Sequence, residues 1–199
     1  MLQPEAGFGY GLLDWSLDDR FILFEKTPVG RLQARSELWV MPRFGDRKPF
    51  RFGSAPFGGH AALSPNGRWI AYTSDESGEN QVLVQSFPDA ARARWQITRD
   101  GGRFPRWRRD GRELYYVDDG KIFAVPVTTT ADACEFGTAT DLFGAILNAG
   151  PGPPDYLAGP SYPYDVTADG QRFLVSAFPL AGTDASITVV TNWTARLKR

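Results

Sequence analysis

The 199-residue sequence holds a single cysteine, Cys134, and a single histidine, His60. One cysteine excludes an internal disulfide, and beside one histidine it cannot build a Cys/His metal cage. Neither sign of charge dominates. The 22 basic and 23 acidic side chains leave a formal net charge of −1, so no global field steers the chain onto nucleic acid or an anionic membrane. No stretch approaches the roughly 18 apolar residues of a membrane span, and residues 1–10 lack a basic segment followed by an apolar one, which reads as no export or anchoring signal in the sequence as given. No Gly-x-Ser-x-Gly elbow occurs: Gly53-Ser54 lacks the second glycine, and His60 shares no motif with a serine or cysteine nucleophile. The expectation is a chain with no catalytic residues, no metal and no cofactor.

What is abundant points the other way, toward many short strands. Hydrophobic residues make up 42% of the chain and aromatic residues 14%, enough for a sizeable core, while 21 Gly and 15 Pro are spread along the whole length, as many tight turns require. One turn recurs four times: Trp15-Ser16-Leu17-Asp18-Asp19-Arg20-Phe21-Ile22, Leu63-Ser64-Pro65-Asn66-Gly67-Arg68-Trp69-Ile70, Trp107-Arg108-Arg109-Asp110-Gly111-Arg112-Glu113-Leu114 and Val166-Thr167-Ala168-Asp169-Gly170-Gln171-Arg172-Phe173. Asn-Gly or Asp-Gly between apolar runs signals a hairpin whose two central residues tolerate positive φ. Gly67, Gly111 and Gly170 are expected there, with Arg20 standing in for glycine in the first copy. A third apolar run follows in each unit, over residues 37–41, 81–86, 121–127 and 186–193, and a shorter fourth in the first three, around 50–52, 94–98 and 140–143.

Four strands per unit, repeated every roughly 45 to 60 residues, is the make-up of a β-propeller blade. The expected fold class is all-β, with blades at about 9–53, 54–99, 100–145 and 160–199 in one domain and a long Gly/Pro/Tyr-rich loop at 148–163. The fourth unit lacks an outer strand, so the four blades read as part of a larger six- to eight-bladed ring. Trp15, Leu63, Trp107 and Val166, with Phe21, Trp69, Leu114 and Phe173 past the turns, should pack between blades. Open flanks near Phe21 and Phe24 and near Phe173 and Val175 imply self-association.

The blade core Ala62-Leu63-Ser64-Pro65-Asn66-Gly67-Arg68-Trp69-Ile70-Ala71-Tyr72-Thr73-Ser74-Asp75 resembles the TolB-like, WD-repeat-like blade of bacteria. A narrower likeness lies in Trp95-Gln96-Ile97-Thr98, Gly101-Gly102, the run Pro105 to Tyr116, and the ending Ile187-Thr188-Val189-Val190-Thr191-Asn192-Trp193. Together these are similar to the C-terminal propeller of bacterial eukaryotic-like serine/threonine kinases. That resemblance implies a periplasmic or extracytoplasmic sensor or scaffold module, without the kinase residues: no His-Arg-Asp loop and no Asp-Phe-Gly is present. TolB-like propellers also gate serine peptidases, so the alternative is a gating propeller whose hydrolase domain is absent here.

Propellers bind protein, peptide or small ligands where inner strands converge on the channel mouth. The repeat makes Asp14, Ala62, Arg106 and Asp165 equivalent, each one residue before an inner-strand anchor, and three of the four are charged. With His60, in the loop leading into the second inner strand, Asp14, Arg106 and Asp165 form the candidate ligand-binding set. Eight arginines between Arg92 and Arg112, interleaved with Trp95, Phe104 and Trp107, could hold single-stranded nucleic acid. The balanced total charge favours packed aromatics and solvated guanidiniums instead, so no nucleic acid and no membrane contact are expected. Asp75-Glu76-Ser77-Gly78-Glu79-Asn80 lacks the further ligands of a calcium loop and reads as a hairpin turn.

Overall fold

The computed structural model describes residues 4–30, 35–54, 57–130, 133–144, 162–176 and 187–191. Among them the chain is all strand and turn, without helix, and falls into four antiparallel sheets that are β-propeller blades. Blade 1 is β1 (Phe8–Trp15), β2 (Phe21–Pro28), β3 (Glu37–Pro42) and β4 (Phe50–Arg51), paired in chain order. Blade 2 repeats the meander with β5 (Ala61–Leu63), β6 (Trp69–Ser74), β7 (Gln81–Ser86) and β8 (Arg94–Gln96). Blade 3 comprises β9 (Arg103–Trp107), β10 (Glu113–Asp118), β11 (Lys121–Thr129), β12 (Cys134–Phe136) and β13 (Thr140–Gly144), and blade 4 comprises β14 (Tyr164–Val166), β15 (Arg172–Ser176) and β16 (Ile187–Thr191). The chain forms two compact units, 1–105 and 106–199. The loop at 148–163 and the Asn192-Trp193 end of the kinase-like tail lie almost wholly outside the described residues.

The recurring turn is built by its own side chains. In all four copies the first residue's N–H bonds the carbonyl five residues on, as Ser64 to Trp69 at 2.8 Å, and the fourth residue's N–H returns to the first carbonyl, as Gly67 to Ser64 at 2.8 Å. The third residue, Asp18, Asn66, Asp110 or Asp169, accepts the N–H two residues ahead at 3.0–3.1 Å, which is why only Asp or Asn stands there. Only the fourth residue is left-handed: Gly67, Gly111 and Gly170 have φ of 66°, 74° and 71°, and the first copy places Asp19 there at 66°. The turn therefore differs from the expected form in two ways. One positive φ rather than two is needed, and Asp19, not Arg20, stands in for glycine. Asp tolerates that region better than most residues because its short side chain bonds locally.

Within the first unit, blades 1 and 2 share a core of Leu23, Leu38, Val40, Phe52, Phe57, Leu63, Ile70, Tyr72, Leu83 and Phe87, with Phe21 packed against it. Alternation along each strand assigns the faces. Leu23 points to blade 2, whereas Ile22 and Phe24 point away. The far face of blade 1 is closed by its own aromatics: Phe24 packs against Tyr10 and Trp39, and Lys26 lies 4.2 Å above the Phe8 ring while pairing with Glu5 at 2.8 Å. Within the second unit, Phe173 joins Tyr115, Phe143 and Tyr164.

The anchors Leu63, Trp69, Trp107, Leu114 and Phe173 are all buried. Phe21 and Val166 are only half-buried, and Trp15 departs furthest, at 50% exposure. It pairs with Ile22, hence on the far face, where Arg43 stacks 4.7 Å above its ring. Phe173 and Val175, expected on an open flank, are buried toward blade 3; the residue between them, Leu174, is the one half-exposed. Blade 3 also carries an unforeseen fifth strand. Pro126 has no N–H to give, and the outer pairing of β11 splits around it, β13 taking residues 121–124 and β12 taking 127–129.

Candidate functional site at the heads of the inner strands

In the first unit, a β-bulge leaves Leu13 without a cross-strand partner and turns Asp14 to the side of Leu23. There the Asp14 carboxylate accepts two backbone N–H groups, Trp15 on Oδ1 at 2.8 Å and Leu63 of blade 2 on Oδ2 at 2.7 Å. Asp14 thus ties one inner strand to the next.

His60 stands at the head of the second inner strand. Its carbonyl and that of Gly59 both face the Thr73 N–H, at 3.1 and 3.3 Å, and the Thr73 carbonyl accepts the Gly58 N–H at 2.9 Å. This holds His60 at φ 53°, in the left-handed region that few non-glycine residues adopt. Phe104 shares it at φ 60°, and the two rings lie 4.1 Å apart. His60 and Phe104 are repeat equivalents, two residues before Ala62 and Arg106 respectively. His60 is half-buried and Phe104 buried. Phe104 was not among the candidate residues; carrying the repeat alignment two positions further back would have found it.

In the second unit, the Arg106 guanidinium sits 4.0 Å above the Tyr162 ring, with Nε 3.8 Å from Asp165 Oδ1. Asp165 Oδ1 also accepts the Val166 N–H at 2.9 Å, as Asp14 does for Trp15. Nearby, Arg108 pairs with Asp110 and Glu113, and the Tyr115 hydroxyl donates to Glu113 Oε2 at 2.5 Å. Burial, and then Glu113, push the Tyr115 phenol far above its ordinary range.

The arginine-aromatic cluster follows the packed arrangement. Trp107 and Phe104 are buried, Trp95 packs edge-on to Trp69, and Arg94 pairs with Glu76. Asp75 to Glu79 forms the β6–β7 turn, with Gly78 N–H bonded to the Asp75 carbonyl at 3.0 Å. Among the described residues no three His, Cys, Asp or Glu side chains are grouped to hold a metal. Cys134 is buried, which pushes its thiol up to about 12, the reverse of an activated nucleophile.

The blades are those of a β-propeller, a fold shared with TolB. TolB from Acinetobacter baumannii superposes with a TM-score of 0.67 at 16% identity, over 94% of this chain and 41% of that one. A functionally unknown protein from Desulfotomaculum acetoxidans gives 0.51 at 11% identity, over 92% and 75% of the two chains. The acylaminoacyl peptidase of Pyrococcus horikoshii gives 0.50 at 12% identity, over 92% and 32%. At such identities the likeness is one of fold, and the chain spans less than half the length of the TolB it matches. No protein-family model and no curated protein sequence matches it.

Proposed function

We propose that these blades form a non-catalytic binding module, contacting a protein, peptide or small ligand at the heads of the inner strands. The observation that carries this reading is the His60–Phe104 pair, two non-glycine residues held left-handed at the heads of consecutive inner strands. Each such residue costs on the order of 1–3 kcal/mol, and strain of this kind gathers at binding sites. The likeness of the blade motif and tail to kinase-linked propellers extends the proposal: the module is the extracytoplasmic sensing part of a bacterial serine/threonine kinase. Arg106 and Asp165 are proposed as ligand contacts of the second unit. For Asp14, both oxygens already hold backbone N–H groups, which favours a structural role.

His60→Gly separates function from packing. Glycine relieves the left-handed strain, so the thermal midpoint holds or rises, while the thermal shift induced by a ligand from a metabolite and peptide screen is lost. A fall in midpoint with the ligand shift intact would make His60 structural. The peptidase-like superposition supports the alternative of a gating propeller. The neighbouring coding sequence discriminates: a kinase domain and membrane helix upstream support sensing, and a Gly-x-Ser-x-Gly domain downstream supports gating.

A further inference from the structure

The face of blade 1 turned toward blade 2 carries a carboxylate at a position that the next two blades keep buried. Counted from the recurring turn, Glu25 of β2 is the repeat equivalent of Thr73 in β6 and Val117 in β10. Both of those are buried, whereas Glu25 is half-buried. It stands two residues beyond Leu23 and hence on the same face of its strand. The nearest cations in the sequence are engaged elsewhere. Lys26 lies on the opposite face and pairs with Glu5 at 2.8 Å, and Arg35 pairs with Asp75 at 2.8 Å. Burial pushes the Glu25 carboxyl above its ordinary value, and the Ser36 hydroxyl beside it draws it back only in part. Among the described residues no cation offsets that burial.

Around this carboxylate the strands leave room. Gly9 and Gly11 of β1 are the cross-strand partners of Thr27 and Glu25, so the inner strand sets no side chain beside them. Nothing in the backbone requires glycine at position 9: it is not left-handed, and an added Cβ would meet nothing nearer than Val29 Cγ2 at 3.6 Å. The result is a shallow trough walled by Glu25 and Thr27, with the Ser36 hydroxyl 2.7 Å from Thr27 Oγ1. The Ser36 backbone bridges to Phe57, in the segment leading to His60, which sets the trough beside the head of the second inner strand.

A carboxylate and two hydroxyls standing side by side suit a cation with several N–H donors. We propose, resting on the binding role given above, that this trough seats a primary ammonium group, carried by a small amine or by the lysine side chain of a peptide. Such a group offers three N–H donors to the Glu25, Thr27 and Ser36 oxygens. A quaternary ammonium would need aromatic faces, and the rings of Phe8, Tyr10 and Phe24 lie on the other side of the blade. A divalent metal would need more acidic ligands than are grouped anywhere among the described residues.

Titration of the full 199-residue chain with cadaverine, and separately with a lysine tripeptide blocked at both ends, tests this by amide NMR. Shifts grouped at residues 9–11 and 25–27 are expected; shifts with cadaverine alone assign the ammonium to a free amine, and shifts with both admit a peptide. Glu25→Gln should weaken binding at least about tenfold. It should leave the thermal midpoint unchanged or raised, because it removes a half-buried charge that no cation offsets. Gly9→Val, which fills the trough, should weaken binding likewise. No shifts with either probe, binding that survives Glu25→Gln, equal binding of neutral pentanediol or of tetramethylammonium, or a midpoint that falls in Glu25→Gln overturns the inference. A screened ligand that protects residues 58–62 while neither probe shifts residues 9–27 sinks the ammonium site and leaves the binding role standing.

Discussion

Replacing Gly170 with alanine tests how the recurring turn is locked into the joint between blades 3 and 4. Gly170 holds φ 71°, and an added Cβ would lie 2.6 Å from Tyr115 Oη and 3.0 Å from Arg108 Nε. The left-handed backbone alone costs alanine about 1–2 kcal/mol. Forcing a methyl against a phenol fixed by Glu113 adds overpacking of about 1–3 kcal/mol, so Gly170→Ala should lose roughly 2–5 kcal/mol. Tyr115→Phe removes the obstructing oxygen. In that background Gly170→Ala should cost only the backbone part plus whatever the Arg108 contact demands, so the double-mutant cycle shows a coupling of about 1 kcal/mol or more. Urea unfolding of the four proteins, followed by circular dichroism, measures it. Strict additivity would refute the argument, because the clash with Tyr115 would then carry no energy.

Trp107→Ala should lose about 3–5 kcal/mol, whereas Trp15→Ala, half-exposed beneath Arg43, should lose far less; equal losses in chemical denaturation would undo the assignment of faces. Asp14→Ala strips the acceptor from the Leu63 N–H and should cost about 1–3 kcal/mol, with faster amide exchange at Leu63. Cys134 should react with a thiol reagent at pH 8 only after unfolding, since burial holds its thiol up to about 12. The Thr167 hydroxyl and then the Gln171 N–H hold the Asp169 carboxyl below its ordinary value. A lowered carboxylate pKa contributes stability present above about pH 4 and lost as pH falls through the folded-state value, so Asp169→Asn should flatten the acid limb of a midpoint-versus-pH curve.

The turns and most strands were legible because their causes are local. Ser64, Asn66 and Gly67 close a loop with bonds to residues no more than five positions away, and such bonds are written into the sequence. The register of the blades followed from the repeat. What escaped depends on partners distant in the chain. Asp14 reads as a surface charge until the bulge at Leu13 turns it toward Leu63, 49 residues on. Trp15 pairs with Ile22 just as Leu63 pairs with Ile70, yet on the face of blade 1 turned away from blade 2 it stays half-exposed, whereas Leu63 is buried against blade 1. Phe104 looked like packing, and its left-handed backbone beside His60 is visible only once both inner strands are in place.

Hydrogen exchange on the 199-residue chain, with and without a ligand taken from the thermal-shift screen, tests the binding reading most directly. Slowed exchange confined to the heads of the inner strands, around residues 58–62 and 101–106, with the ligand recovered chemically unchanged, is the result this account predicts. Protection at the recurring turns or the outer strands instead, or conversion of the ligand during the incubation, would contradict it.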